Sequence, residues 1–165
     1  FTGTAFYRST TLARPDRRPL IQGGPLAPRM IGSDDSVPRI AMLEHVDTTD
    51  DTGLRHQAGT VSLARDLVRT GHVLPELFIC LDDYPELDAG GRSEPDERGF
   101  PAFGTVVGGI DVAHAIAAGD TDGTSPFERL RGEILTHPVR ILDVTVTTTT
   151  TTTTTAHTAH HESSD

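Results

Sequence analysis

Residues 59–64 read Gly59-Thr60-Val61-Ser62-Leu63-Ala64, and residues 77–81 read Leu77-Phe78-Ile79-Cys80-Leu81. Both are short runs rich in β-formers, separated by a segment with His72 and Pro75, and they predict two strands suited to a barrel wall. Upstream, Gly3-Thr4-Ala5-Phe6-Tyr7-Arg8 predicts a short strand entered from a loop. The polar, proline-containing run 13–18 breaks it, and Leu20-Ile21-Gln22-Gly23-Gly24 predicts a second strand ended by a Gly-Gly turn. Residues 25–58 read as mostly irregular, with one apolar piece at Ile40-Ala41-Met42-Leu43. Downstream, Asp82 to Gly99 is an acidic, glycine-rich loop and Phe103-Gly104-Thr105-Val106-Val107 a strand. Ile110 to Ala118 predicts a helix of about three turns with Ile110, Ala113 and Ala117 on one face. Pro138 to Val146 alternates in part and predicts the closing strand.

The 165 residues, 35% of them hydrophobic, set one domain with a real core. With 16 glycines, 11 prolines and only 5% aromatics, the fold should be one of short elements and many turns. A net charge of −10 opposes a phosphate backbone, which argues against nucleic acid as a partner. All 14 basic residues are arginine, so lysine chemistry of the Schiff-base or P-loop kind is excluded and any cationic role falls to a guanidinium. Cys80 lies in an apolar run and reads as a small buried hydrophobe. No stretch approaches the ~20 apolar residues of a membrane-spanning helix.

His157, His160 and His161 lie in a segment with nothing to orient them as metal ligands, and the acidic pairs, such as Asp82 with Asp83, lack the spacing of a calcium loop. His114 has no acid or nucleophile placed beside it by sequence. No metal and no cofactor are therefore expected. Residues 147–165, a threonine run followed by a polar histidine-containing end, offer no apolar surface to offset ordering and read as a disordered tail.

Five phrases stand in a telling order: Phe6-Tyr7-Arg8 with Ile21-Gln22-Gly23-Gly24, then Gly59 to Arg65, Leu77 to Cys80, Pro85-Glu86-Leu87-Asp88, and Phe103 to Val112. Together they resemble a bacterial cyclophilin over residues 1–146, with Val144-Thr145-Val146 similar to the family's last strand. The resemblance implies a mainly β fold, a closed antiparallel barrel of eight strands capped by helices, with the substrate groove on its outer wall. A hairpin and a helix normally precede the Phe6-Tyr7-Arg8 phrase in that family, so the chain reads as a barrel lacking its first two strands and first helix. Its compartment stays open.

What the resemblance implies chemically is peptidyl-prolyl cis/trans isomerisation of proline-containing polypeptides by a monomer without cofactor. The barrier is ~18–20 kcal/mol because the C–N bond is partly double, and a donor to the prolyl nitrogen in the twisted state lowers it. The family pattern puts that donor at Arg8, whose residue-level alternative is an ordinary surface ion pair. It puts a substrate-orienting amide at Gln22, and a proline cup at Leu63, Phe78 and Leu87, although Leu63 and Phe78 are equally readable as core.

Departures from the pattern are an insertion between Arg8 and Gln22, Pro19 in place of an aromatic, Glu76 in place of glutamine, and Glu86 where some members carry tryptophan. The charge of Glu76 is placed either to pull at Arg8 or to repel acidic substrates. The alternatives to catalysis are a proline-peptide binding module and an inactive fragment.

Overall fold

The computed structural model describes residues 1–33, 46–66, 71–92 and 96–148. Six strands form one antiparallel sheet: β1 (Ala5–Thr10), β2 (Leu20–Gly24), β3 (Thr60–Arg65), β4 (Val73–Ile79), β5 (Ala102–Thr105) and β6 (Ile134–Arg140), in the spatial order β5-β3-β4-β2-β1-β6. The fold is thus mainly β, as read from the sequence. Among the described residues the sheet does not close, so β5 and β6 are its edges. The helices are short: α1 (Ala27–Met30), α2 (Thr49–Thr52) and α3 (Ile110–Ala117), with 3₁₀ turns at Pro85–Leu87 and Glu128–Leu130.

The two faces of the sheet bury different clusters. Strand β3 alternates strictly, with Thr60, Ser62 and Ala64 buried and Val61, Leu63 and Arg65 less so, as a pleated strand covered differently on its two sides must. On one face α3 lays Ala113, with Ile110, Ile116 and Ala117, against Phe6, Ile21, Ile79 and Leu81. On the other, Tyr7, Ala27, Leu130 and Ile134 form one cluster, and Leu20, Ala64, Phe78, Cys80, Tyr84, Leu87 and Phe100 a second. Cys80 is fully buried, and burial pushes its thiol up to about 12, in keeping with a packed apolar residue.

Several sequence expectations need correction. The last strand is Ile134–Arg140, not residues 138–146; Ile134 and Leu135 supply a buried apolar anchor, whereas Val144 and Val146 are exposed. Gly23 and Gly24 belong to β2 rather than to a turn. A Cβ on Gly23 would sit 2.6 Å from the Ala5 carbonyl oxygen, and one on Gly24, whose φ is 153°, would meet the Glu76 carboxylate. Strand β4 starts at Val73 and runs through Pro75, where β2 has not yet begun to pair, so no ladder bond needs the missing N–H. The irregular region holds α1 and α2, and the acidic loop holds the Pro85–Leu87 turn. The apolar piece 40–43 and the tail beyond Thr148 lie outside the described residues.

Candidate functional site

Register assembles the site. Arg8 opposes Gln22, Gln22 opposes Phe78, Phe78 opposes Ser62 and Ser62 opposes Ala102, one row running across five strands. Directly opposed residues share a face, so Arg8, Gln22 and Phe78 project to the same side. Two strand spacings, roughly 10 Å, separate Arg8 from Phe78. The pairing shifts between Phe6 and Arg8, a bulge that brings Tyr7 to this side as well. Leu63 behaves differently. It opposes Leu77, which opposes Gly23, in the neighbouring row that continues to Phe6, packed against α3 on the other face. The structure therefore brings together Arg8, Gln22, Phe78 and Leu87 and leaves Leu63 on the far side, with Ala64 in the cluster instead.

The half-buried Arg8 guanidinium is held from two directions. Its Nη1 donates to Gln22 Oε1 at 2.8 Å, while Nε and Nη2 donate to Glu133 Oε2 at 2.9 and 2.6 Å. Of five N–H donors three are taken, leaving one hydrogen on Nη1 and one on Nη2 for a substrate. Thr10 Oγ1 donates to the other Glu133 oxygen at 2.6 Å, fixing the carboxylate. Gln22 in turn donates from Nε2 to Tyr7 Oη at 3.0 Å, and Tyr7 Oη donates to Glu76 Oε2 at 2.7 Å.

Glu76 is fully buried and does not reach Arg8, contrary to expectation; it also accepts the Leu26 backbone N–H at 2.6 Å. Burial raises its pKa, an effect that its hydrogen bonds from Leu26, Tyr7 and Gln22 oppose. Tyr7 is raised well above the usual phenol range, first by burial and then by the Glu76 charge. The carboxylate that engages Arg8 is Glu133, which the sequence reading missed. It enters from just before β6, more than a hundred positions away, and only the strand pairing of β1 with β6 reveals it.

Phe78 and Leu87 are 4% and 2% exposed, packed with Leu20, Ala64, Tyr84 and Phe100. Leu12, from the long β1–β2 hairpin, packs on this cluster from outside. Glu86, beside Leu87, accepts from Arg17 Nη1 with both oxygens at 2.8 and 2.9 Å, and the Arg17 guanidinium stacks 5.2 Å above the Tyr84 ring. Tyr84 Oη donates to the Arg18 carbonyl at 2.7 Å, so the hairpin is strapped to the Pro85–Leu87 turn. Leu20, Ala64 and Phe100 escaped the sequence reading because an isolated apolar residue carries no signal of which cluster it joins. Among the described residues no group of three His, Cys, Asp or Glu side chains could hold a metal ion.

A family model described as cyclophilin type peptidyl-prolyl cis-trans isomerase/CLD matches residues 1–146. The chain belongs to the cyclophilin family. This cyclophilin is 28% identical over 130 residues to peptidyl-prolyl cis-trans isomerase A of Dickeya dadantii (strain 3937), an alignment covering 79% of the chain and 62% of that protein. It thus spans less than two thirds of that relative's length. Two crystal structures of a cyclophilin type peptidyl-prolyl cis-trans isomerase from Cryptosporidium parvum, one in the presence of the dipeptide ala-pro, superpose with a TM-score of 0.48 at 16% identity. They cover 86% and 84% of this cyclophilin, which covers 76% and 74% of theirs.

Proposed function

We propose that this cyclophilin accelerates cis/trans rotation about Xaa-Pro bonds of polypeptides, with Arg8 as the catalytic donor, Gln22 as the substrate-orienting amide, and Phe78 and Leu87, with Leu20 and Ala64, as the cup for the proline ring. The observation that carries the reading is the fixed Arg8 guanidinium, tied to Gln22 and Glu133 with hydrogens to spare and aligned in one row with Phe78. A ring seated against Phe78 places its amide over Gln22 and Arg8. As the C–N bond twists, the prolyl nitrogen becomes pyramidal and gains a lone pair that the guanidinium can hydrogen-bond, an interaction the planar ground state lacks. Gln22 holds the neighbouring carbonyl, and no covalent bond forms or breaks; the C–N bond only rotates.

The domain is taken as residues 1–146, acting as a monomer on proline-containing chains and not on nucleic acid, which its charge of −10 disfavours. The six strands are read as part of a closed eight-stranded barrel; in support, β5 and β6 end the sheet among the described strands, and beyond β6 only a short bridge from Asp122 to Ile134 continues it. A protease-free relaxation assay on a short Xaa-Pro peptide tests the activity. Arg8→Ala should cut kcat/KM by about 10²-fold, the usual cost of removing one transition-state donor. Peptide binding without any acceleration by the unaltered chain would instead identify a binding module.

A further inference from the structure

One buried polar group stands directly behind the cup and has no part in the chemistry above. His56 is 1% exposed. Its ring stacks on Phe78, with centroids 5.7 Å apart and planes 17° from parallel, and meets Phe100 edge-on at 6.4 Å. Asp88 Oδ1 lies 2.7 Å from Nδ1 and also accepts the His56 backbone N–H at 3.0 Å. A carboxylate can only accept here, so Nδ1 carries the proton and Nε2 accepts from Ser62 Oγ at 3.1 Å. The His56 carbonyl accepts the Tyr84 N–H at 2.7 Å. Both ends of the turn that presents Leu87 are therefore bonded to this one residue, Tyr84 before it and Asp88 after it.

The Ser62-His56-Asp88 order matches the hydrogen-bond sequence of a hydrolytic triad, but Ser62 is fully buried beneath Phe78 and no carbonyl can reach its Oγ. We propose that His56 is instead a positioning residue: it sets the orientation of Phe78 through the stack and the place of Leu87 through Asp88 and Tyr84, and so fixes the cup that receives the proline ring. The proposal rests on the isomerase reading. It also explains why a polar ring sits in an otherwise apolar cluster, since a fully partnered imidazole holds two elements at defined distances where a leucine would only fill space. The groups facing it are Asp88 from the turn, Ser62 from β3, Phe78 from β4 and Phe100 from the segment before β5, so Asp88 is the charged one among its bonded partners. Cys80, in the same cluster, stays neutral with its thiol at about 12.

The test compares steady-state isomerisation of one Xaa-Pro peptide by the unaltered chain, His56→Ala, His56→Asn and Arg8→Ala, with a thermal melt of each. His56→Ala should raise KM about tenfold, the scale of one lost aromatic pair, while kcat stays near that of the unaltered chain. His56→Asn, whose amide can take the place of Nδ1 toward Asp88, should recover part of that KM, and Arg8→Ala should lower kcat instead. Should His56→Ala fail to fold, an unchanged KM in folded His56→Asn at a reduced Tm would overturn the proposal, and a raised KM would support it. Folded His56→Ala with the original KM overturns it outright. If the unaltered chain does not accelerate exchange at all, the isomerase reading falls and this proposal with it, whereas an active chain indifferent to His56 sinks the proposal alone.

Discussion

The orientation of Arg8 is set by its neighbours. A guanidinium on a strand can point along several rotamers, and here the decision is made by Glu133, which takes two of its donors while Gln22 takes one. The ion pair is partly solvated, so its contribution to stability is modest, about 1 kcal/mol at most. In the proposed reaction its contribution is positional. Glu133→Ala should lower kcat about tenfold or more with little change in KM or Tm, because misplacing a donor by an ångström is costly to rate; the relaxation assay and a melt check both halves.

Glu76 presents the opposite balance. Its burial raises the pKa, so between the ordinary value of 4.5 and the raised one the folded chain binds the proton more readily than the unfolded chain. Stability then declines as pH rises through that window. Glu76→Gln removes the titrating group and should flatten that slope, as read by melts at several pH values, while costing stability because one of the two donors it accepts, the Leu26 N–H or the Tyr7 hydroxyl, loses its acceptor.

At the scale of elements, the strand around residues 59–64 was readable because its β-formers agree with its packing, whereas the one expected at 77–81 was caught only at Leu77–Ile79, since it begins at Val73, across Pro75, and ends before Cys80. The last strand was misplaced for a physical reason. Val144-Thr145-Val146 has the better β composition, yet Ile134 and Leu135 have the buried neighbours, and burial decides over propensity. The β1–β2 hairpin was visible only as a polar break.

Its tip carries Leu12 and Ala13 with φ of 52° and 63°, a left-handed pair that non-glycine residues adopt at a cost. Ala13→Gly, ordinarily a destabilising exchange, should here leave stability unchanged or raise it by up to about 1 kcal/mol. Chemical denaturation with an unchanged m-value would check this, and a clear loss of stability would show that the strained backbone is not what the position costs.

Across the described residues, two faces of one sheet differ in use: α3 packs on one, and the other carries Arg8, Gln22 and Phe78 in a single row. The row could not be read without the register, because Arg8, Gln22, Phe78 and Ser62 come from four strands, and a shift of one residue would have turned each to the opposite face. Leu63 illustrates the point, one position from Ser62 and on the other side.

His56 links this arrangement to pH. Burial lowers its pKa from 6.5 more than Asp88 raises it, so the unfolded chain takes up the proton first as pH falls. The stability associated with neutral His56 is complete above about 6.5 and is lost as pH drops toward the folded value. Melts of the unaltered chain and His56→Asn between neutral and mildly acid pH should therefore converge as the pH falls, the variant lacking this slope.

The measurement that bears most directly on the central claim is exchange NMR of a single Xaa-Pro peptide at equilibrium, with binding and interconversion read from the same samples of the unaltered chain and of Arg8→Ala. Catalysed exchange is expected with the unaltered chain, and with Arg8→Ala a peptide that still binds within a few-fold but exchanges at about a hundredth of the catalysed rate. Equal exchange rates in the two samples at equal occupancy would contradict the assignment of Arg8 as the catalytic donor.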